Sequence, residues 1–145
     1  MARIKNLDHR FSVGEQIAAS DFAMLKAEGF TSVICNRPDN ESTGQPSSRE
    51  LETAAKSCGL TFHYIPLGGG DVSSGYVDAM SDAMRASTGR TLAFCRSGLR
   101  SALLWALASV KNGADRDATI ARVETAGYPT RVIRSSLGAG TSAAA

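Results

Sequence analysis

The stretch from Thr91 to Trp105 reads TLAFC-RSGLR-SALLW and constrains this chain more than any other. An apolar run passes into a polar, glycine-containing stretch and then into apolar residues at helical spacing. That order predicts a buried strand, a tight loop and a helix opening at Ser101. Cys95 falls where the strand ends, Gly98 lets the loop backbone fold inward, and Arg100 adds a forked, permanently charged donor. Amides of such a loop, together with the first turn of the helix, converge on one point and favour an anion there. The same field is expected to lower the pKa of Cys95 and keep it a thiolate near neutral pH. A nucleophile beside an oxyanion cradle is machinery for taking a charged group from a substrate onto sulfur. A cysteine at a strand end is also a common small core residue. The run of strand, cysteine, polar loop, arginine and helix is what favours catalysis.

The rest of the chain alternates strand and helix signals. Residues 10–13 predict a short first strand, and Ser20 a cap for a helix over residues 21–28. FTSVICN, residues 30–36, is the β-branched run of a buried parallel strand. The loop RPDNESTGQP follows; Arg37 and Asp39 are candidates for a substrate-selecting rim, although a solvated loop is the plainer expectation. Ser47 and Glu50 have capping-box spacing for a helix over residues 48–58. LTFHYIPL predicts another strand, and GGGDVSS a loop carrying one acid, Asp71. A helix is expected over residues 75–86, the buried central helix over 101–112, and a last helix over 116–126. Pro129 begins an exit segment, and the tail 139–145 has nothing to bury and is expected to be disordered. Alternation of this kind implies a single α/β domain over residues 1–138, three-layered, with a mainly parallel sheet and helices on both faces. Ligands bind such sheets beyond the carboxyl ends of the strands. Cys95, Arg37 and Asp71 all follow strands, so they are expected on one rim.

Composition removes several function classes. Sixteen basic against fourteen acidic residues leave a net charge of +2, too balanced for a nucleic-acid or anionic-membrane partner. No stretch approaches a membrane span or a signal peptide. Three cysteines, Cys35, Cys58 and Cys95, at unrelated spacings argue against a disulfide framework. Two histidines without HxH or HxxH spacing make a metal site improbable, and no cofactor is expected. A reducing cytoplasm fits and would keep Cys95 usable. Cys35 ends a strand that could neighbour Cys95, where it would either pack the core or resolve an oxidised Cys95; packing is favoured.

AFCRSGLRSALLWAL, supported by FHYIPLGGGD and TSVICN, resembles the phosphatase-like domain of beta-lactamase hydrolase-like proteins, bacterial relatives of dual-specificity phosphatases. The likeness runs over roughly residues 10–128 and implies a protein-tyrosine-phosphatase-like fold. It implies Cys95 as the nucleophile that forms a phosphocysteine. Phosphoryl oxygens would be bound by Arg100 and by the amides of Arg96, Ser97, Gly98, Leu99 and Arg100. The resemblance also implies that the Ser101 hydroxyl bonds the sulfur and helps it leave, and that Asp71 is the general acid protonating the leaving oxygen. Protein phosphatases carry His-Cys-x5-Arg; here Phe94 replaces the histidine, and four residues separate Cys95 from Arg100. C-x4-R also resembles rhodanese loops, where the cradle holds a cysteine persulfide. Two activities therefore stand open: a phosphatase acting on a phosphorylated protein or small phosphoester, and a sulfurtransferase acting on thiosulfate or a persulfide. A non-catalytic anion-binding module is the third.

Overall fold

The computed structural model describes residues 3–69 and 72–138. Asp71 and the tail 139–145 therefore lie outside the described residues. Among the described residues five strands form one sheet: β1 (Ile4–Asn6), β2 (Phe11–Gly14), β3 (Phe30–Cys35), β4 (Thr61–Tyr64) and β5 (Arg90–Phe94). Their spatial order is β1-β2-β5-β3-β4. The last four are parallel, and β1 pairs antiparallel with β2 at one edge. The expected mainly parallel α/β architecture is what the chain adopts.

Among the described residues six α-helices cover the sheet: α1 (Phe22–Ala27), α2 (Ser48–Ser57), α3 (Ser74–Ala86), α4 (Leu99–Lys111), α5 (Arg116–Thr125) and α6 (Arg131–Leu137). Period-two alternation in the strands divides them between two faces. Val33 and Cys35 of β3, with Leu92 and Phe94 of β5, pack under α1 and α2 against Phe22, Leu25, Leu51 and Ala55. Ile34, Ala93, Phe11 and Val13 point the other way, into the core formed with α3, α4, α5 and α6. Every residue of α4 from Ser101 to Ala108 is buried, because this helix lies between the sheet and the three helices outside it.

Several local expectations need correcting. Helix α4 opens at Leu99, two residues before Ser101, because Gly98 itself caps it with φ +98°, a conformation that side chains disfavour. A 3-10 turn, Ala19–Asp21, precedes α1, and its end is closed by the Asp21 carboxylate, which accepts the Ala18 amide at 2.8 Å, instead of by Ser20. The cap at Ser47 forms as the spacing implies, its hydroxyl accepting the Glu50 amide at 3.1 Å. Strand β4 is four residues long, half the apolar run that suggested it. The exit segment after Pro129 contains helix α6.

Candidate functional site

The parallel strands end together. Gly14 and Cys35 both stand opposite Phe94, and Tyr64 stands opposite Cys35, so the residues that follow share one rim. Backbone bonds lock that rim: the Cys95 amide donates to Gly14 O at 3.3 Å and the Asn36 amide to Phe94 O at 2.8 Å. Cys95 thus leaves the sheet in a fixed direction, at the floor of its loop, with none of its surface exposed.

The loop then turns back over the sulfur. The Gly98 amide donates to Cys95 Sγ at 3.1 Å. Gly98 is doubly constrained: beyond its φ of +98°, an added Cβ would collide with the Tyr128 hydroxyl and sit 3.0 Å from Tyr128 Cζ. Tyr128, with the Lys5 ammonium 5.1 Å from its ring centroid, covers the loop from outside. Burial pushes the Tyr128 phenol above its ordinary pKa. Arg96, Ser97 and Leu99 are exposed on the loop's outer side.

Arg100 stands in the first turn of α4 and is held from across the site. Its Nη1 donates to Glu41 Oε2 at 2.7 Å and to Leu67 O at 2.8 Å, and its Nη2 donates to Glu41 Oε1 at 2.9 Å. Among the described residues these bonds use the end of the guanidinium and leave the edge formed by Nε–H and the second Nη2–H, which is itself a two-donor fork. The bonds to Glu41 raise the Arg100 pKa first of all, against burial, which lowers it.

Glu41 also accepts from Arg37 Nε at 2.9 Å. Arg37 is buried, 5% exposed, where a solvated loop residue was the plainer expectation. A buried guanidinium needs partners on every side, and it finds them in Glu41, in Gln16 Oε1 at 3.0 Å and in Ser42 Oγ at 3.0 Å. The two guanidiniums hold the Glu41 carboxyl down at about 2, the Arg100 bond contributing most. One carboxylate between two guanidiniums leaves these three side chains with one surplus positive charge. Asp39 is taken up at the start of α2, accepting Ser48 N at 2.8 Å and Ser48 Oγ at 2.7 Å.

Ser101 does not do what the resemblance implied. It is fully buried, and its hydroxyl donates to Asn36 Oδ1 at 2.8 Å, so its single proton is not directed at the sulfur. Asn36 in turn donates Nδ2 to Ile65 O at 3.0 Å, which ties β3, the segment after β4 and α4 together beneath the loop. Sequence reasoning missed Asn36, Glu41 and Tyr128. Asn36 left a signal, an amide ending an apolar strand; Glu41 left only its four-residue offset from Arg37. Cys35 is core: it is 3% exposed, its thiol donates to Arg37 O at 3.3 Å, and burial pushes its pKa up to about 12. Among the described residues no group of three or more metal-ligating side chains occurs, and no helix is long and apolar enough to cross a membrane.

Residues 3–112 match the model of the beta-lactamase hydrolase-like protein, phosphatase-like domain. The chain belongs to this family. Beta-lactamase hydrolase-like proteins from Agrobacterium fabrum and Xylella fastidiosa are 31% and 30% identical to it, over 74% and 77% of the chain. The chain spans about a quarter of their length, 25% and 26% respectively. A crystal structure of a candidate phosphatase from Neisseria meningitidis superposes with a TM-score of 0.78 at 28% identity, covering 91% of this chain and 94% of that one. TpbA of P. aeruginosa, solved as a cysteine-to-serine variant with phosphotyrosine, shares the fold: TM-score 0.59, 15% identity, 85% of this chain and 76% of that one. The phosphatase-like domain therefore carries the Cys95 loop on the scaffold that the sequence resemblance implied.

Proposed function

We propose that this phosphatase-like domain hydrolyses phosphomonoesters through a phosphocysteine on Cys95. The observation that carries the reading is the convergence of the Gly98 amide on Cys95 Sγ while Arg100, clamped by Glu41, keeps a two-donor edge. The Cys95 thiolate attacks phosphorus and the P–O bond to the alcohol breaks, the leaving oxygen taking its proton from Asp71. Water then attacks the phosphocysteine, its proton passing to the Asp71 carboxylate; the P–S bond breaks, inorganic phosphate leaves, and the Cys95 thiolate and the Asp71 acid are restored. Amides of residues 96–100 and the free edge of Arg100 stabilise the charge on the three equatorial oxygens in both steps. The surplus positive charge of the Arg37–Glu41–Arg100 group favours an anionic substrate. Ser101 enters this scheme indirectly: through Asn36 it fixes the base of the loop, so it is a positioning residue.

The four-residue spacing between Cys95 and Arg100 favours a second reading, sulfur transfer through a Cys95 persulfide, in which no acid is needed. One experiment separates the two: inorganic phosphate release from an aryl phosphate by wild type and Cys95→Ser. Cys95-dependent release supports phosphoryl transfer. A wild-type rate no higher than that of Cys95→Ser removes that reading, and a persulfide on Cys95 is then sought after incubation with thiosulfate. Asp71→Asn is expected to slow an alkyl phosphate more than an aryl phosphate; equal slowing of both removes Asp71 as the acid.

A further inference from the structure

Ser32 is buried without a partner, and the Cys95 site does not use it. Strand β3 carries one extra residue against β5: Phe30 pairs with Arg90 and Ser32 with Thr91, which leaves Thr31 between them unpaired. Such a bulge re-aims the side chains around it. Phe30 packs with Val33 and Cys35 on the face under α1 and α2, while alternation puts Ser32 on the opposite face, with Ile34. Ser32 is 2% exposed there. Its Oγ is the one buried side-chain nitrogen or oxygen among the described residues that lacks a hydrogen-bond partner. A buried hydroxyl in that condition is unfavourable, and native structures normally provide it with a partner.

The sheet register sets Thr61 beside Ser32 and His63 beside Ile34. Ser32, Thr61 and His63, with Thr31, border a cavity of about 130 Å³. Its remaining wall is the end of α3 and the turn that follows, Ala86, Ser87 and Thr88. The cavity lies at the amino ends of β3 and β4. Cys95 follows the carboxyl end of β5, so a strand length, roughly 15 Å, separates the two places.

Two of the lining hydroxyls serve each other and the backbone: Ser87 Oγ donates to Gly89 O at 3.1 Å, and Thr31 Oγ1 lies 3.3 Å from Ser87 Oγ. The Ser32, Thr61 and Thr88 hydroxyls and the His63 ring are left for a ligand. Among the described residues no carboxylate, ammonium or guanidinium lines the cavity. The Arg10 guanidinium nearby is taken up by the carbonyls of Ser87 and Gly89, at 3.1 and 3.4 Å. Burial pushes His63 below its ordinary pKa, so the ring is uncharged near neutral pH. The groups on offer are thus neutral, and each can donate as well as accept. Ligand hydroxyls share that versatility. An ion would find no charge to balance it. The volume equals that of about four waters at ~30 Å³ each, which suits a chain of about three carbons. Ala86 and the threonine methyl groups give those carbons apolar contact.

We infer that this cavity binds a small neutral polyol, whose hydroxyls pair with Ser32, Thr61, Thr88 and His63. The inference does not rest on the phosphatase reading.

Two-dimensional amide NMR of the full chain tests it with three probes: glycerol, n-propanol and urea. Glycerol is expected to give saturable shifts confined to the lining residues. The alcohol has the same carbon count but one hydroxyl, and is expected to bind about tenfold more weakly. Ser32→Ala is expected to weaken glycerol binding about fivefold. Ala86→Leu fills the space without removing a polar group and should abolish the shifts. Thr88→Val, on the exposed turn, gives the same comparison as Ser32→Ala if the latter fails to fold. Shifts that never saturate, an equal or tighter response to n-propanol or urea, or unchanged glycerol affinity in the hydroxyl-deleted variant overturns the site. Cys95-dependent phosphate release is measured separately, so failure of the polyol site leaves the phosphatase reading standing.

Discussion

Glu41 grips Arg100 with both carboxylate oxygens, at 2.7 and 2.9 Å, across 59 positions of sequence. The pairing occupies the end of the guanidinium and aims its remaining edge. Glu41→Gln keeps the size of the side chain but replaces one acceptor by a donor facing a cation. It is expected to lower kcat/KM for an aryl phosphate about tenfold through misorientation and to destabilise the fold by about 2 kcal/mol, chiefly by stranding buried Arg37. Arg100→Lys, which keeps charge but loses the fork, is expected to cost about a hundredfold. Steady-state kinetics with urea unfolding on both variants checks this; wild-type kinetics for Glu41→Gln would mean that the clamp does not aim Arg100.

The same clamp makes stability depend on pH on the acid side. Glu41 is lowered from 4.5 to about 2 by Arg100 and Arg37, so the folded protein holds fewer protons than the unfolded chain in that interval. Its stabilising contribution is complete above about pH 4.5 and is lost as pH falls towards 2. Unfolding free energies measured from pH 6 to 2 should fall less steeply in Glu41→Gln than in wild type. Parallel curves would contradict the assignment.

Cys35 is expected to be chemically silent in the folded state. Its thiol is 3% exposed and is pushed by burial from 9.0 to about 12. Iodoacetamide at pH 8 should label Cys58, which is half-buried, and leave Cys35 unmodified until the protein unfolds. Because the raised thiol stays protonated in the fold, its contribution is complete below about pH 9 and declines as pH rises towards 12. Labelling of Cys35 at the Cys58 rate in peptide mass spectra would refute the packing role.

Gly98 should tolerate nothing larger. Gly98→Ala places a side chain at φ +98° against Tyr128, and is expected to cost about 1–3 kcal/mol and most of the activity. Combining it with Tyr128→Ala relieves the collision and leaves the backbone strain, so the two substitutions together should cost less than the sum of each alone. Strict additivity in denaturant titrations would show that Tyr128 does not limit the loop.

The sequence conveys best what depends on local pattern. Apolar runs marked four of the five strands, and the cap at Ser47 was legible because a hydroxyl three residues before Glu50 has one efficient use. Strand β1 escaped because IKN is short, polar and at the sheet edge, where only its pairing with β2 orders it. Helix α6 escaped because RVIRSSL buries just Ile133. The Cys95 loop was legible as a motif, but its partners were not. Nothing near Arg100 in sequence points to Glu41, and the Ser101 proton goes to Asn36, 65 positions away. A hydrogen bond between two loops is a tertiary fact that leaves no periodicity.

Parts of the clamp come from the turn after β2 (Gln16), the loop after β3 (Arg37, Glu41, Ser42), the segment after β4 (Leu67) and the start of α4 (Arg100). None of these segments meets another until the parallel strands between them have paired, and closing such long loops is the slow, entropically unfavourable part of folding. A partly folded chain can therefore hold the Cys95 loop without an aimed arginine. Recovery of Arg100-dependent function during refolding would serve as a reporter of the last long-range pairing, lagging behind helix content and tryptophan burial.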